Sequence, residues 1–341
     1  MDKERFAWYG IDTEKNLNLS AICNRPFGTV LIDKVGDVYL CDCQAWLPFV
    51  VGNLHKDSLE NIFENNKSEY IRDTILDGSY KFCNNKQCIF LNNEFIQRQA
   101  TLVPPVQLVN IRLGIDESCN LSCPSCRTKT IFDKDNESIR KKIKIADKVI
   151  EYLKAKDSGV QINIGSDGDP FASLVYRYFM RNVPKKGSIR YGMQTNGLLL
   201  KKMMYRYPHV FENMDLLKVS VDGATKQTYE KLRRGGRWEN LLENLEHISK
   251  IKNQYRMQWH IDYVVQLTNF REIPQLLDLA EKLNIDAVNL TPIQNWNTYA
   301  DIGVHQIWKK DNVHYNEYQS IMESIKDHPK INSRNFLWTI T

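Results

Sequence analysis

Hydrophobic and polar positions follow different rhythms on the two sides of Pro104-Pro105. Before it, TVLIDK (29–34) and DVYLCDC (37–43) flank the turn signal Val35-Gly36-Asp37 and predict two short strands. A stretch with Leu59, Ile62 and Phe63 at helical spacing predicts a helix from about Ser58 to Leu76. A loop containing Gly78, Cys83, Asn84, Asn85 and Cys88 follows. This is too little regular structure for a large core, and a bound metal would supply the missing stability. The proline pair stops any helix and marks a boundary.

Beyond it, strands alternate with helices. VQLVNIRLGI (106–115), VQINIG (160–165), SIRYGMQT (188–195), DLLKVSVD (215–222), WHIDYVVQL (259–267) and DAVNLTPI (286–293) read as strands. ESIRKKIKIADKVIEYLKAK (137–156) predicts an amphipathic helix with Ile139, Ile143, Ala146, Ile150 and Leu153 on one stripe. PFASLVYRYFMRNV predicts another, with Pro170 near its start. WENLLENLEHISKIK and IPQLLDLAEKLN have helical period too. Six strands with helices between them predict a parallel α/β architecture, and an incomplete (β/α)6 barrel and a doubly wound sheet both fit. In either, function gathers at the C-terminal ends of the strands. The expected division is residues 1–103, 104–295 and a C-terminal extension, 296–341. In that extension Trp308, Tyr315, Tyr318 and Trp338 fit core packing at helical spacing, and His305 and His314 have no partner in the pattern.

Composition narrows the class. The 341 residues are 42% hydrophobic and 26% charged, which excludes a mostly disordered or collagen-like chain. No apolar run approaches the ~20 residues of a membrane span, and no apolar segment follows MDKERFAWYG as in a secretory signal. A cytoplasmic location, with no membrane partner, is therefore expected. The net charge of +5 is spread along the chain. Lys141, Lys142 and Lys144 fall on the polar face of a helix, where charges are ordinarily solvated, and no nucleic-acid partner is expected.

All eight cysteines lie in the first 126 residues: Cys23, Cys41, Cys43, Cys83, Cys88, Cys119, Cys123 and Cys126. In a reducing compartment, clustered cysteines are metal ligands or catalytic groups more often than disulfides. After the first strand of the second region comes Cys119-Asn120-Leu121-Ser122-Cys123-Pro124-Ser125-Cys126, a C-x3-C-x2-C loop. Three close thiolates can hold three irons of a [4Fe–4S] cluster and leave the fourth open. A structural zinc site ordinarily wants four ligands, often in C-x2-C pairs.

This loop resembles that of the radical S-adenosylmethionine (SAM) superfamily, and later strand ends agree in order. Gly165-Ser166-Asp167-Gly168-Asp169-Pro170 resembles the family's Gly-Gly-Glu-Pro segment, with Asp169 where Glu is usual. Thr195-Asn196-Gly197 resembles its Thr-Asn-Gly turn. Ser220-Val221-Asp222-Gly223, followed by TYEKLRRGGRWENLLENL, resembles the SPASM-containing branch. The resemblance implies a partial (β/α)6 TIM-like barrel, with Cys119, Cys123 and Cys126 on the catalytic cluster. It implies that Gly168, Asp169, Asn196, Ser220, Asp222 and Arg233 or Arg234 contact SAM.

In the first region, C-x12-G-x4-C over Cys23, Gly36 and Cys41, with the late pair Cys83 and Cys88, resembles SPASM and twitch modules. The resemblance implies a small cysteine-rich α+β domain holding one auxiliary [4Fe–4S] cluster on Cys23, Cys41, Cys83 and Cys88. Cys41 and Cys43 are two apart on a predicted strand and face the same way, so either could ligate; the glycine spacing favours Cys41 and leaves Cys43 spare. A zinc ribbon on the same residues, in a non-catalytic binding protein, is the competing reading.

The implied activity is reductive cleavage of SAM to a 5′-deoxyadenosyl radical, then hydrogen abstraction from substrate, with electrons from a flavodoxin- or ferredoxin-type donor. An oxidative outcome is expected, either dehydrogenation or cross-linking of a peptide side chain or a small polar metabolite. Epimerisation is the alternative. The roughly 20 residues before Cys23 are too few for a leader-binding domain.

Overall fold

The computed structural model describes residues 3–88, 90–91, 103–132, 134–165 and 167–332; Ser166 and Trp338 lie outside them. The chain folds into two compact units, each discontinuous in sequence.

The first unit comprises residues 1–116, 134–167 and 178–190. Its strands are β1 (Thr29–Asp33), β2 (Asp37–Tyr39), β3 (Gly52–Asn53), β4 (Asn110–Gly114) and β5 (Val160–Ile164), in the spatial order β3-β2-β1-β4-β5. The β1–β2 hairpin turns at Gly36, whose φ of 83° is in the left-handed region, and Asp33 accepts from the backbone N of Val35 and Asp37. β1 also pairs in parallel with β4, from Thr29 opposite Asn110 to Asp33 opposite Gly114. A parallel ladder therefore continues the cysteine-rich segment into the α/β core.

Several local expectations change here. The helix expected from Ser58 to Leu76 is two helices, Leu59–Glu64 and Asn66–Leu76. Asn65 breaks it by accepting from Ser68 N as an N-cap while donating to Val51 O. β2 ends at Tyr39, so Cys41 and Cys43 lie on a bend and not on a strand that turns both side chains the same way. The long helix Glu137–Ala155 buries Ile139, Lys142, Ile145, Ala146, Val149, Ile150, Tyr152 and Leu153, and leaves Ile143 half-exposed. Lys142 is thus not on a solvated face. Its ammonium lies 2.7 Å from the fully buried carboxylate of Asp116.

The second unit comprises residues 117–133, 168–177 and 191 onward. Here β6 (Ile189–Thr195), β7 (Met214–Ser220), β8 (Gln258–Val265) and β9 (Ala287–Pro292) run parallel in that order. One sheet face carries Leu217, Val219, Trp259, Ile261, Tyr263, Val288 and Leu290, all buried. The helix Ile273–Lys282 packs on β9. All six expected strands of the α/β region are therefore present, each within a few residues of its expected bounds.

Pro170 is not at a helix start. The Asp169 carboxylate accepts from the N–H groups of Phe171 and Ala172, which closes a turn, and the helix runs Leu174–Asn182 after Ser173 accepts from Tyr176 N. In the C-terminal extension, Tyr318 is buried edge-on against Phe270 and Trp308 is buried. His305 stacks on Tyr299 with centroids 4.1 Å apart, and His314 faces Arg271 and Glu317, so both histidines have partners that the sequence pattern hid. No helix among the described residues is long and apolar enough to cross a membrane.

Removing one partner of a buried ion pair costs about 3–5 kcal/mol. Lys142→Met is accordingly expected to lower stability in chemical denaturation by that order. Lys141→Met, at an exposed i,i+4 pair with Glu137, should change it little.

Candidate active site

Cys119, Cys123, Cys126, Gly168, Asp169, Asn196, Ser220, Asp222 and Arg233 all belong to the second unit. The cysteine loop is closed by a bridge between Cys119 and Ile131, whose carbonyl accepts from Cys119 N at 2.8 Å. Arg234 holds the same loop. Its carbonyl accepts from Ser122 N, and its guanidinium donates to Ser122 Oγ at 3.1 Å and to Thr128 O. Arg127 donates to the Cys126 sulfur and to Glu117 O.

Arg233 turns the other way. Its Nη2 lies 2.8 Å from Asp222, and its Nη1 is 3.8 Å from the Cys123 sulfur. Burial disfavours the guanidinium charge, but Asp222 and Cys123 outweigh it, so Arg233 is held charged more firmly than usual. Its Nε is buried with no hydrogen-bond partner among the described residues. Asp222 also accepts from Val264 N at 2.7 Å, and its φ of 59° is unusual for a non-glycine residue. Burial pushes the Cys119 thiol up to about 11 and raises that of Cys123, where Arg233 opposes the shift.

The backbone around Asp222 is fixed from two sides. A Cβ on Gly223 would stand 2.5 Å from Tyr229 N, so only glycine lets the helix Lys226–Leu232 come this close. Glu272 accepts from Ala224 N, Thr225 N and the Thr225 and Thr228 hydroxyls.

Asp169 is buried and its two oxygens accept four hydrogen bonds, from Phe171 N, Ala172 N, Thr195 Oγ1 and Asn196 N. Its acceptor capacity is used in joining its own turn to the Thr195-Asn196 turn. Asn196 then donates to Asn120 Oδ1 in the cysteine loop at 2.8 Å. Gly168 is half-buried beside Asp169, and Ser220 accepts from Gln194 at 3.3 Å. Arg234, expected as an alternative to Arg233 at SAM, instead holds the cysteine loop. The roles of Arg127 and Glu272 leave no motif in the sequence, and only the adjacency of Arg127 to Cys126 could have pointed to one of them.

In the first unit, Cys23, Cys41, Cys83 and Cys88 line one pocket, together with Arg25, Trp46, Leu47 and Tyr80. Tyr80 pins the Cys23 segment: its hydroxyl donates to Ala21 O and accepts from Cys23 N. Burial raises the thiols of Cys41, Cys83 and Cys88. Lys15 donates to Cys83 O, and Arg25 donates to Asp42. Cys43 does not line that pocket; it lies in the field of Arg112 and Asp167. Among the described residues, no three His, Cys, Asp or Glu side chains are drawn together as around one metal ion.

Residues 116–280 match the Radical SAM superfamily, and residues 23–89 match SPASM, an iron-sulfur cluster-binding domain. The chain thus carries a radical SAM superfamily region. It carries an SPASM module that precedes the radical SAM region in sequence. It is 20% identical over 229 residues to a probable GTP 3′,8-cyclase of Saccharolobus islandicus, covering 67% of this chain and 69% of that one. It is 25% identical over 143 residues to the GTP 3′,8-cyclase of Aliarcobacter butzleri, covering 41% and 43%. Among solved structures it is similar to SuiB of Streptococcus suis bound to S-adenosylmethionine, with 18% identity and a TM-score of 0.45 over 66% of this chain. The chain spans about half the length of that structure, 49%. A radical SAM chain with an SPASM module uses a SAM-binding [4Fe–4S] cluster, SAM and an auxiliary iron–sulfur cluster. The donor types fit: a three-thiol loop whose Cys123 lies beside an arginine with an unused N–H, and four thiols lining one pocket.

Gly223→Ala must displace either the helix Lys226–Leu232 or Asp222. It is expected to lower the thermal midpoint by several degrees in calorimetry; an unchanged midpoint would show that this approach is not tight.

Proposed function

We propose that Cys119, Cys123 and Cys126 hold the catalytic [4Fe–4S] cluster with one iron open, and that Arg233 receives the SAM carboxylate on its unused Nε. The observation that carries this reading is that buried Nε, on a guanidinium already fixed by Asp222 beside Cys123. When bound, the cluster and SAM supply one-electron cleavage of the sulfonium and hydrogen abstraction from unactivated carbon. The chain's own residues orient and exclude water. Asn196 and Ser220 offer polar groups at strand ends, and Gly168 offers backbone. Asp169 acts by positioning Asn196 and not through a direct contact, because its oxygens are already used. Cys23, Cys41, Cys83 and Cys88 hold the auxiliary cluster, a reading supported by their shared pocket, and Cys43 is spare.

The net reaction is an oxidation, such as dehydrogenation or cross-linking, of a peptide side chain or a small polar metabolite, with electrons from a flavodoxin- or ferredoxin-type protein. The second unit has no cysteine beyond the triplet, so it offers no thiol to return a hydrogen atom to a substrate radical. Epimerisation is the second reading, favoured by Cys43 standing apart from the four-cysteine pocket.

After anaerobic reconstitution, about eight irons per chain are expected, since each [4Fe–4S] unit carries four. Replacing Cys119, Cys123 and Cys126 together by Ala should abolish 5′-deoxyadenosine formation and leave about half the iron. Cys43→Ser should keep the wild-type iron and Cys23→Ser should lower it. Zinc without iron in the wild type would sink the reading.

Mass spectrometry decides the outcome on substrate. A product two hydrogens lighter, with one 5′-deoxyadenosine per turnover, is expected. Unchanged mass with one solvent deuterium incorporated means epimerisation.

A further inference from the structure

Parallel sheets are ordinarily apolar on both faces, because both are covered. The second unit's sheet is apolar on one face only. On the other, register sets two polar rows side by side. Gln194, Lys218 and His260 are neighbours in one, and Ser220, Asp262 and Asn289 in the next. The rows are two residues apart, about 7 Å at roughly 3.3 Å per residue. The second row ends at Ser220, the last residue of β7, so the first lies one step deeper along the strands.

These side chains are not a closed structural network. Asn289 donates to Asp262 at 2.6 Å, but Lys218 stays 3.7 Å from Asp262, outside hydrogen-bond length. The Lys218 ammonium makes no hydrogen bond among the described residues, and neither does the His260 ring. His260 is nevertheless buried, and burial together with Lys218 holds it toward its neutral form. Gln194 is exposed although it sits within a strand. These polar groups stay within reach of a ligand: the Lys218 side chain is 31% exposed and Gln194 is exposed.

The charge on this face is balanced, with one ammonium beside one carboxylate. A strongly anionic ligand such as a nucleoside triphosphate would meet Asp262 as well as Lys218. An apolar side chain would displace water from Lys218 and Asp262 without replacing its hydrogen bonds. We propose that this polar face is the substrate platform of the enzyme, and that it takes a small molecule carrying a protonated amine beside an oxygen function. Asp262 receives the amine and Lys218 the oxygen. The inference rests on the radical SAM reading, and names a substrate class unlike the GTP of the curated relatives' names.

The test is isothermal titration of the reconstituted, SAM-loaded, unreduced protein with L-serine, D-glucosamine, D-glucose and GTP. Saturable binding of L-serine points to an amino acid, and of glucosamine to an amino sugar. Either should weaken on the order of tenfold or more in Lys218→Met and in the isosteric Asp262→Asn, and survive in Lys218→Arg. Glucose and GTP should give no saturable heat. Iron content and SAM affinity should stay at wild-type values in all three variants, which reports that they fold. Should Lys218→Met lose iron, Asp262→Asn alone decides. Binding of GTP with neither amine, no binding of any amine probe, or amine binding indifferent to the substitutions overturns the platform. A wild-type protein that takes up neither iron nor SAM counts against the radical SAM reading itself.

Discussion

The ion pair between Asp222 and Arg233 governs the second unit. Two buried charges are stable together only when geometry is good and each has further partners. Asp222 has Val264 N, and Arg233 has the Cys123 sulfur. To reach that geometry, Asp222 adopts a left-handed backbone, Gly223 lets Tyr229 come close, and Glu272 ties down the residues that follow. The next residue, Arg234, faces the opposite way and clasps Ser122 and Thr128. Two adjacent arginines thus carry the position of one helix end into the cysteine loop, one through the interior and one along the surface.

Asp169 illustrates how a short carboxylate changes a role. Its side chain ends one methylene nearer the backbone than a glutamate would, and there it meets four donors from two turns. The result is a rigid link from the β5 loop through Asn196 to Asn120. Strand ends that are separate in sequence become one polar rim by hydrogen bonds between their turns. Such turns can hold polar groups in place because both oxygens of the buried Asp169 carboxylate already have partners.

The cysteine-rich segment is built into an α/β core and not tethered to one. The β1–β4 ladder puts its first strand in register with Asn110–Gly114. Asp42, between Cys41 and Cys43, reaches both Arg25 near the pocket and Arg112 on β4. Three of the pocket thiols, Cys41, Cys83 and Cys88, are buried, and burial disfavours their free thiolates. A metal held by these thiols would couple its binding to local folding.

The sequence by itself determined the strand–helix alternation, the cysteine loop and the strand-end turns. These are local: a strand is written in a run of β-branched residues, and a ligand loop in the spacing of its thiols. Tertiary structure alone decided which face of each element is covered. Lys142 reads as a surface charge until Asp116 is brought beside it. Cys41 and Cys43 share one face in the strand alternation, with only the glycine spacing to favour Cys41, until β2 stops at Tyr39 and Cys41 alone of the two lines the pocket. Pro170 reads as a helix start until Asp169 takes the following N–H groups. Lys218, His260, Asp262 and Asn289 lie on three strands, and only the parallel register sets them side by side. Periodicity shows that an element has two faces, but the partner of each face is chosen by residues far away in the chain.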